Sequence, residues 1–134
     1  MSAFVLDAST VLAWLLKDAR AADAEALVRR SMRDGAAAPR LMLLEVPNGL
    51  RNRLRRGQIT HAERDRMLED FLGLLIEWDD DVDAWALTRL SDVHDLTIYD
   101  AAYLDVANRL RLPLATLDQR LARAAEAAGV KVVR

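Results

Sequence analysis

The chain contains no cysteine. Disulfides and thiolate metal sites are therefore excluded, and a reducing compartment such as the cytoplasm is expected. Histidine is limited to His61 and His94, and lysine to Lys17 and Lys131. No wholly apolar run exceeds six residues, the length of Val11–Leu16 and of 71–76. A membrane-spanning helix needs roughly 20, so no span is expected. The first apolar stretch is broken by Asp7 and has no basic lead, so no signal peptide is expected either.

What is present fits one folded unit. The 134 residues suffice for a single domain, 1–134, with a substantial core. Apolar residues make up 52% and charged residues 30%, a globular composition. The net charge of −2 says little about partners, but the charges are segregated. Between Arg40 and Arg66 there are seven arginines against Glu45, Glu63 and Asp65. Between Glu77 and Asp105 there are nine acids against Arg89 alone.

The pattern alternates short apolar strands with helices. Ala3–Leu6 reads as a buried strand ended by Asp7, and 11–16 as a helix capped by Ser9 or Thr10. A second helix spans 20–34 and stops at Gly35, followed by a strand over 36–38. A third helix covers 41–56, with Leu41, Leu44, Asn48, Leu50 and Leu54 inward. Pro47 inside it costs ~3 kcal/mol, which predicts a kink near 43–47 or a helix that starts only near Glu45. Thr60 and Glu63 form a capping box for a fourth helix running to about Ile76, with Ala62, Met67, Phe71, Leu74 and Leu75 inward. Helices follow over 82–94, 98–110 and 119–128, with strands at 114–116 and 130–133. Residues 77–81 form an acidic connection.

Strands alternating with helices imply an α/β fold with a parallel sheet covered on both faces. Right-handed crossovers bring the C-terminal ends of the strands to one edge, where open sheets bind ligands. Asp7 and Asp118 directly follow strands. Asp100 approaches from a helix start and Glu45 from the third helix. Four carboxylates at one edge repel one another, and one or more must take up protons unless a cation intervenes. Oxygen donors without cysteine or a nearby histidine favour Mg²⁺ or Mn²⁺ over Zn²⁺. Such an ion polarises a phosphoryl oxygen and activates water, so the residues point to metal-dependent phosphodiester chemistry.

Simpler roles exist for each residue. Asp7, Asp100 and Asp118 suit helix N-caps, where Asp is favoured, and Glu45 suits an exposed helix face. Ser9 and Thr116 suit local caps or core hydroxyls. Asp79–Asp81 read as a solvated loop, and His61 and His94 as ordinary helix residues. Asp105 points about 140° away from Asp100 on an ideal helix. Arg51, Arg53, Arg55 and Arg56 either hold phosphate groups or crowd a solvated helix end. Trp14, Trp78 and Trp85 fit core or dimer packing better than base stacking.

Four segments together resemble the PIN-domain nucleases, and within them the VapC toxins. These are Val5-Leu6-Asp7-Ala8-Ser9, Glu45-Val46-Pro47-Asn48 with Leu50, Tyr99-Asp100-Ala101-Ala102-Tyr103-Leu104, and Ala115-Thr116-Leu117-Asp118 with Leu121. The resemblance spans nearly the whole chain. It implies a three-layer α/β/α PIN-like domain with a parallel sheet of four to five strands. It implies a cytoplasmic endoribonuclease toxin that cuts tRNA or rRNA, dimerises with itself and is blocked by a VapB-like antitoxin. Asp7, Glu45, Asp100 and Asp118 match the acidic quartet that holds Mg²⁺ (or Mn²⁺), and Ser9 and Thr116 match hydroxyls that steady it. Two other classes remain open: an Asp-nucleophile phosphatase or phosphotransfer domain, and a non-catalytic PIN-like module that binds RNA or a partner. The first usually wants a second acid two residues after the nucleophile, where this chain has Ser9.

Overall fold

The computed structural model describes residues 1–134. Its strands are β1 (Phe4–Leu6), β2 (Ala36–Pro39), β3 (Ile76–Asp79), β4 (Leu114–Ala115) and β5 (Val132–Val133). Its helices are α1 (Ala8–Leu16), α2 (Ala21–Asp34), α3 (Met42–Arg55), α4 (His61–Leu72), α5 (Ala84–His94), α6 (Ile98–Leu110) and α7 (Gln119–Ala127).

The strands form one parallel sheet in the order β3-β2-β1-β4-β5. The chain builds outward from β1 to β2 and β3, then crosses back to place β4 and β5 on the other side. The order reverses between β1 and β4, which is where a crevice opens in such sheets. One helical layer has α1 packed on α2, α3 and α4. In the other, α5 and α7 pack on α6, which lies over β1, β2 and β4. The result is the expected three-layer α/β/α arrangement with five strands.

Burial explains the layering. Phe4, Val5 and Leu6 are fully buried, as a strand covered on both faces requires. The side chains of Ala36, Ala37 and Ala38 are small and buried, so α6 sits close over β2. Gly35 turns α2 into β2 with φ +84°, and a Cβ there would stand 2.9 Å from the Met1 carbonyl oxygen. Only glycine fits that backbone without strain.

Several sequence expectations need correction. Helix α1 starts at Ala8, not Val11, because Asp7 rather than Ser9 or Thr10 supplies its cap. Helix α3 starts at Met42, ahead of Glu45, and runs continuously through Pro47. Its inward face is Met42, Val46 and Leu50, while Leu44 is 76% exposed. Helix α4 stops at Leu72, since Gly73 caps it and Ile76 pairs with Ala36 in the sheet. Leu75 and Ala62 consequently face solvent. Thr60 and Glu63 do form the expected capping box. Trp78 packs edge-on against Phe71, but Trp85 is exposed rather than in the core.

Candidate active site

Asp7 lies where β1 ends, and its position does two things at once. Its backbone is extended, so the side chain folds back to cap α1 through Oδ1, which accepts from Thr10 N at 2.9 Å. Its Oδ2 accepts from Ser9 Oγ at 2.8 Å and from Thr116 Oγ1 at 2.5 Å. Capping and a place in the site coexist on one carboxylate. Thr116 is fully buried just beyond β4, the neighbour of β1. Its hydroxyl also accepts from Asp118 N at 3.0 Å. One threonine therefore couples two acids 111 positions apart in the sequence.

Asp118 caps α7, its Oδ1 accepting from Arg120 N and Leu121 N. Asp100 is not the cap of α6. Thr97 has that role, with its hydroxyl accepting from Asp100 N at 3.1 Å. The Asp100 carboxylate, one turn in, is left for the cavity.

Glu45 comes from the first turn of α3. Gly49, one turn later, packs against Leu12 of α1, where a Cβ would meet Leu12 Cδ1 at 2.6 Å. A glycine at this contact lets α3 lie close on α1 and carries Glu45 inward. The Tyr103 hydroxyl then donates to Glu45 Oε1 at 2.7 Å. Tyr103 is itself 2% exposed.

These residues meet in a cavity of about 290 Å³, whose lining includes Asp7, Ser9, Glu45, Asn48, Asp100, Tyr103 and Asp118. All four expected acids and Ser9 face it, and Thr116 supports it from behind. Tyr103 and Asn48 stood in the matching segments, and Asn48 on the inward face of the third helix, but neither was assigned to the site from the sequence. Both were accessible to helical spacing, each lying three residues past an acid and so on the same face.

The electrostatics follow from the crowding. Burial raises the Asp7 carboxyl above its ordinary value, against hydrogen bonds from Thr10, Thr116 and Ser9 that pull it down. Burial also raises Glu45, helped by the charges of Asp100 and Asp7 and opposed by the Tyr103 hydrogen bond. Asp100 is raised by burial and then by Asp118 and Asp7. No Lys, Arg or His lines this cavity, and Arg120 offsets only part of the charge at Asp100.

A second acidic region shows the contrast. A cavity of about 420 Å³ at the ends of β2 and β3 is lined by Asp79, Asp80, Asp81 and Asp105 among apolar residues. There the acids are already neutralised. Arg109 holds Asp79 at 2.7 Å and Asp105 at 2.9 Å, and Arg40 pairs with Asp80. Asp79 is thus a clamped structural residue rather than part of a freely solvated loop.

The donor set of the first cavity suits a hard cation. It offers carboxylate and hydroxyl oxygens and the Asn48 amide, with no imidazole or thiolate, in an environment that disfavours uncompensated carboxylate charge. No three His, Cys, Asp or Glu side chains in the structure are close enough to ligate one ion together. A hard cation in this cavity would therefore take one or two of the carboxylates directly and reach the others through its waters.

The sequence of a PIN domain matches this chain over residues 4–127. The chain belongs to the PIN-domain family. It is 34% identical over 124 residues to a curated protein named Ribonuclease VapC3, from Pyrobaculum aerophilum, covering 88% of this chain and 91% of that one. That relative places it among the VapC-type PIN domains. The crystal structure of PAE2754 from Pyrobaculum aerophilum superposes with a TM-score of 0.76 at 25% identity, covering 98% of this chain and 90% of that chain. No helix of this PIN domain is long and apolar enough to cross a membrane.

Proposed function

We propose that this PIN-domain protein is a Mg²⁺-dependent endoribonuclease and the toxin of a type II toxin–antitoxin pair. The observation that carries the reading is the cavity itself: four carboxylates from the end of β1, α3, α6 and the start of α7, with Asp7 held above its ordinary pKa by burial and Glu45 and Asp100 by burial and neighbouring carboxylate charge. Similarity to a protein named as a ribonuclease supports the substrate class.

Asp7, Glu45, Asp100 and Asp118 would hold Mg²⁺ or Mn²⁺ between them, one or two directly and the rest through bound water. When bound, such an ion supplies a Lewis acid for a phosphoryl oxygen and a water that ionises near neutral pH. The chain's own residues orient the donors. Ser9 and Thr116 fix the Asp7 carboxylate, Thr116 ties Asp118 to it, and Tyr103 fixes one oxygen of Glu45. Hydrolysis of a phosphodiester then needs no covalent intermediate on the protein.

The reading includes tRNA or rRNA as substrate, a homodimer, a cytoplasmic location and a VapB-like antitoxin that covers the site. An Asp-nucleophile phosphatase is disfavoured, because the position two residues after Asp7 holds Ser9, which hydrogen-bonds to the Asp7 carboxylate, rather than a second acid. Four intact acids in one cavity also argue against a purely non-catalytic module.

The test is expression without an antitoxin followed by mapping of cellular RNA ends. New ends at a few defined positions, lost in the Asp100→Asn variant, are expected. An unchanged set of ends would contradict the proposal.

A further inference from the structure

Nearly all the basic charge of this chain is arginine, and most of the arginines are spent inside the molecule. Arg20, Arg29, Arg30, Arg33, Arg40, Arg64, Arg109, Arg120 and Arg134 each have a carboxylate within salt-bridge distance. Arg51, Arg53, Arg55 and Arg56 have none; Arg66, Arg89, Arg111 and Arg123 are also without one, but lie singly on other elements, whereas α3 and its C-cap gather four together.

The sequence gives these four no chance of local pairing. The positions three and four residues away from each hold no acid. Two of the spacings instead oppose like charges, Arg51 with Arg55 and Arg53 with Arg56, which destabilises an isolated helix. Favourable alignment with the dipole at a helix C-terminus is weak for exposed charges. The cluster therefore stores repulsion that an external anion would relieve.

Its position says which anion. Glu45 and Asn48 face the carboxylate cavity. Asn52, Arg55 and Arg56 continue the same stripe of α3 at spacings of three and four residues. From Glu45 to Arg56 the helix rises about 16 Å, a span of several nucleotides. The other acids that line the cavity itself, Asp7, Asp100 and Asp118, come from other elements, so α3 beyond Glu45 brings only basic charge to its edge.

We propose that the exposed stripe of α3 from Asn48 through Asn52 to Arg55 and Arg56, flanked by Arg51 and Arg53, is a phosphate track that carries one strand of the RNA away from the cavity. The proposal rests on the ribonuclease reading above. The asparagines donate to phosphate or ribose oxygens and the arginines neutralise successive phosphates.

The test measures binding of fluorescein-labelled oligouridylate to the Asp7→Asn protein in Mg²⁺ across a salt series. The same protein carrying R55Q/R56Q, or R89Q as control, is compared with it. Arg89 is also exposed and unpaired but lies on α5, beside the acidic region. In R55Q/R56Q, affinity should fall about tenfold and the slope of log affinity against log salt should shrink by about 0.7 per arginine removed. R89Q should leave both unchanged, and R55Q/R56Q should melt no lower than the background protein, since it relieves like-charge repulsion. An unchanged slope in R55Q/R56Q, or an equal loss in R89Q, overturns the track. Cleavage of total RNA by the otherwise unaltered protein separates the two claims. If it cuts RNA while R55Q/R56Q binds and cuts equally well, the track alone is wrong. If it neither binds nor cuts RNA, the ribonuclease reading fails and the track falls with it.

Discussion

The Tyr103 hydroxyl donates a 2.7 Å hydrogen bond to Glu45 Oε1, joining α6 to α3 across 58 residues of sequence. It satisfies one oxygen of a carboxylate that burial would otherwise leave short of partners, and leaves the other free. Tyr103→Phe keeps the ring in the core and removes only this bond. It should cost about 1 kcal/mol of stability and slow RNA cleavage about tenfold with little change in KM, since positioning acts on the reacting geometry. Single-turnover kinetics beside a thermal melt check this. An unaltered cleavage rate would show that Glu45 needs no such support.

Thr116 has a similar role for Asp7 and Asp118. Thr116→Val preserves shape but leaves the buried Asp7 Oδ2 short of a donor and Asp118 N without its acceptor. A loss of about 1–3 kcal/mol is expected, together with a marked fall in activity. Thr116→Ser should retain most of both. Chemical denaturation of the two variants distinguishes the hydroxyl from the methyl group.

The raised carboxyls make stability depend on pH. A group whose folded pKa lies above its unfolded value stabilises the fold fully below the unfolded pKa and loses that contribution as pH rises through the folded one. Asp7, Glu45 and Asp100 all have this sign. Exposed pairs such as Asp34 with Arg33 shift the other way, so the comparison that isolates the site is between two proteins. In EDTA, Asp7→Asn should melt above the unaltered protein at neutral pH, and the gap should close as pH falls toward about 4, the ordinary carboxylate range. Added Mg²⁺ should raise the melting temperature of the unaltered protein more than that of the variant. A gap that widens on acidification would contradict the assignment.

Much of this was legible in the sequence because strands and acids share a local signature. An apolar run ending in Asp gave β1 with Asp7 and β4 with Asp118, and Thr60 with Glu63 marked the start of α4. Legibility failed where tertiary contacts overrode local pattern. Leu74, Leu75 and Ile76 continue a helical spacing, yet Ile76 pairs into the sheet beside β2. Leu44 looked inward by hydrophobicity, but the contact of Gly49 with Leu12 sets the rotation of α3 and turns Leu44 outward. The Tyr103–Glu45 bond joins residues whose nearness depends on how α3 and α6 pack against the sheet. Spacing alone could place each beside the site but not against the other.

The most direct measurement of the central claim is RNA cleavage by purified, antitoxin-free protein with and without divalent cation. Cleavage in Mg²⁺ is expected, with arrest on adding EDTA and recovery on restoring Mg²⁺. Asp7→Asn and Asp100→Asn should fold normally and lose at least about 100-fold in rate. Persistent cleavage in EDTA, or a folded Asp100→Asn protein cutting at the unaltered rate, would contradict a cation-dependent site built on these carboxylates.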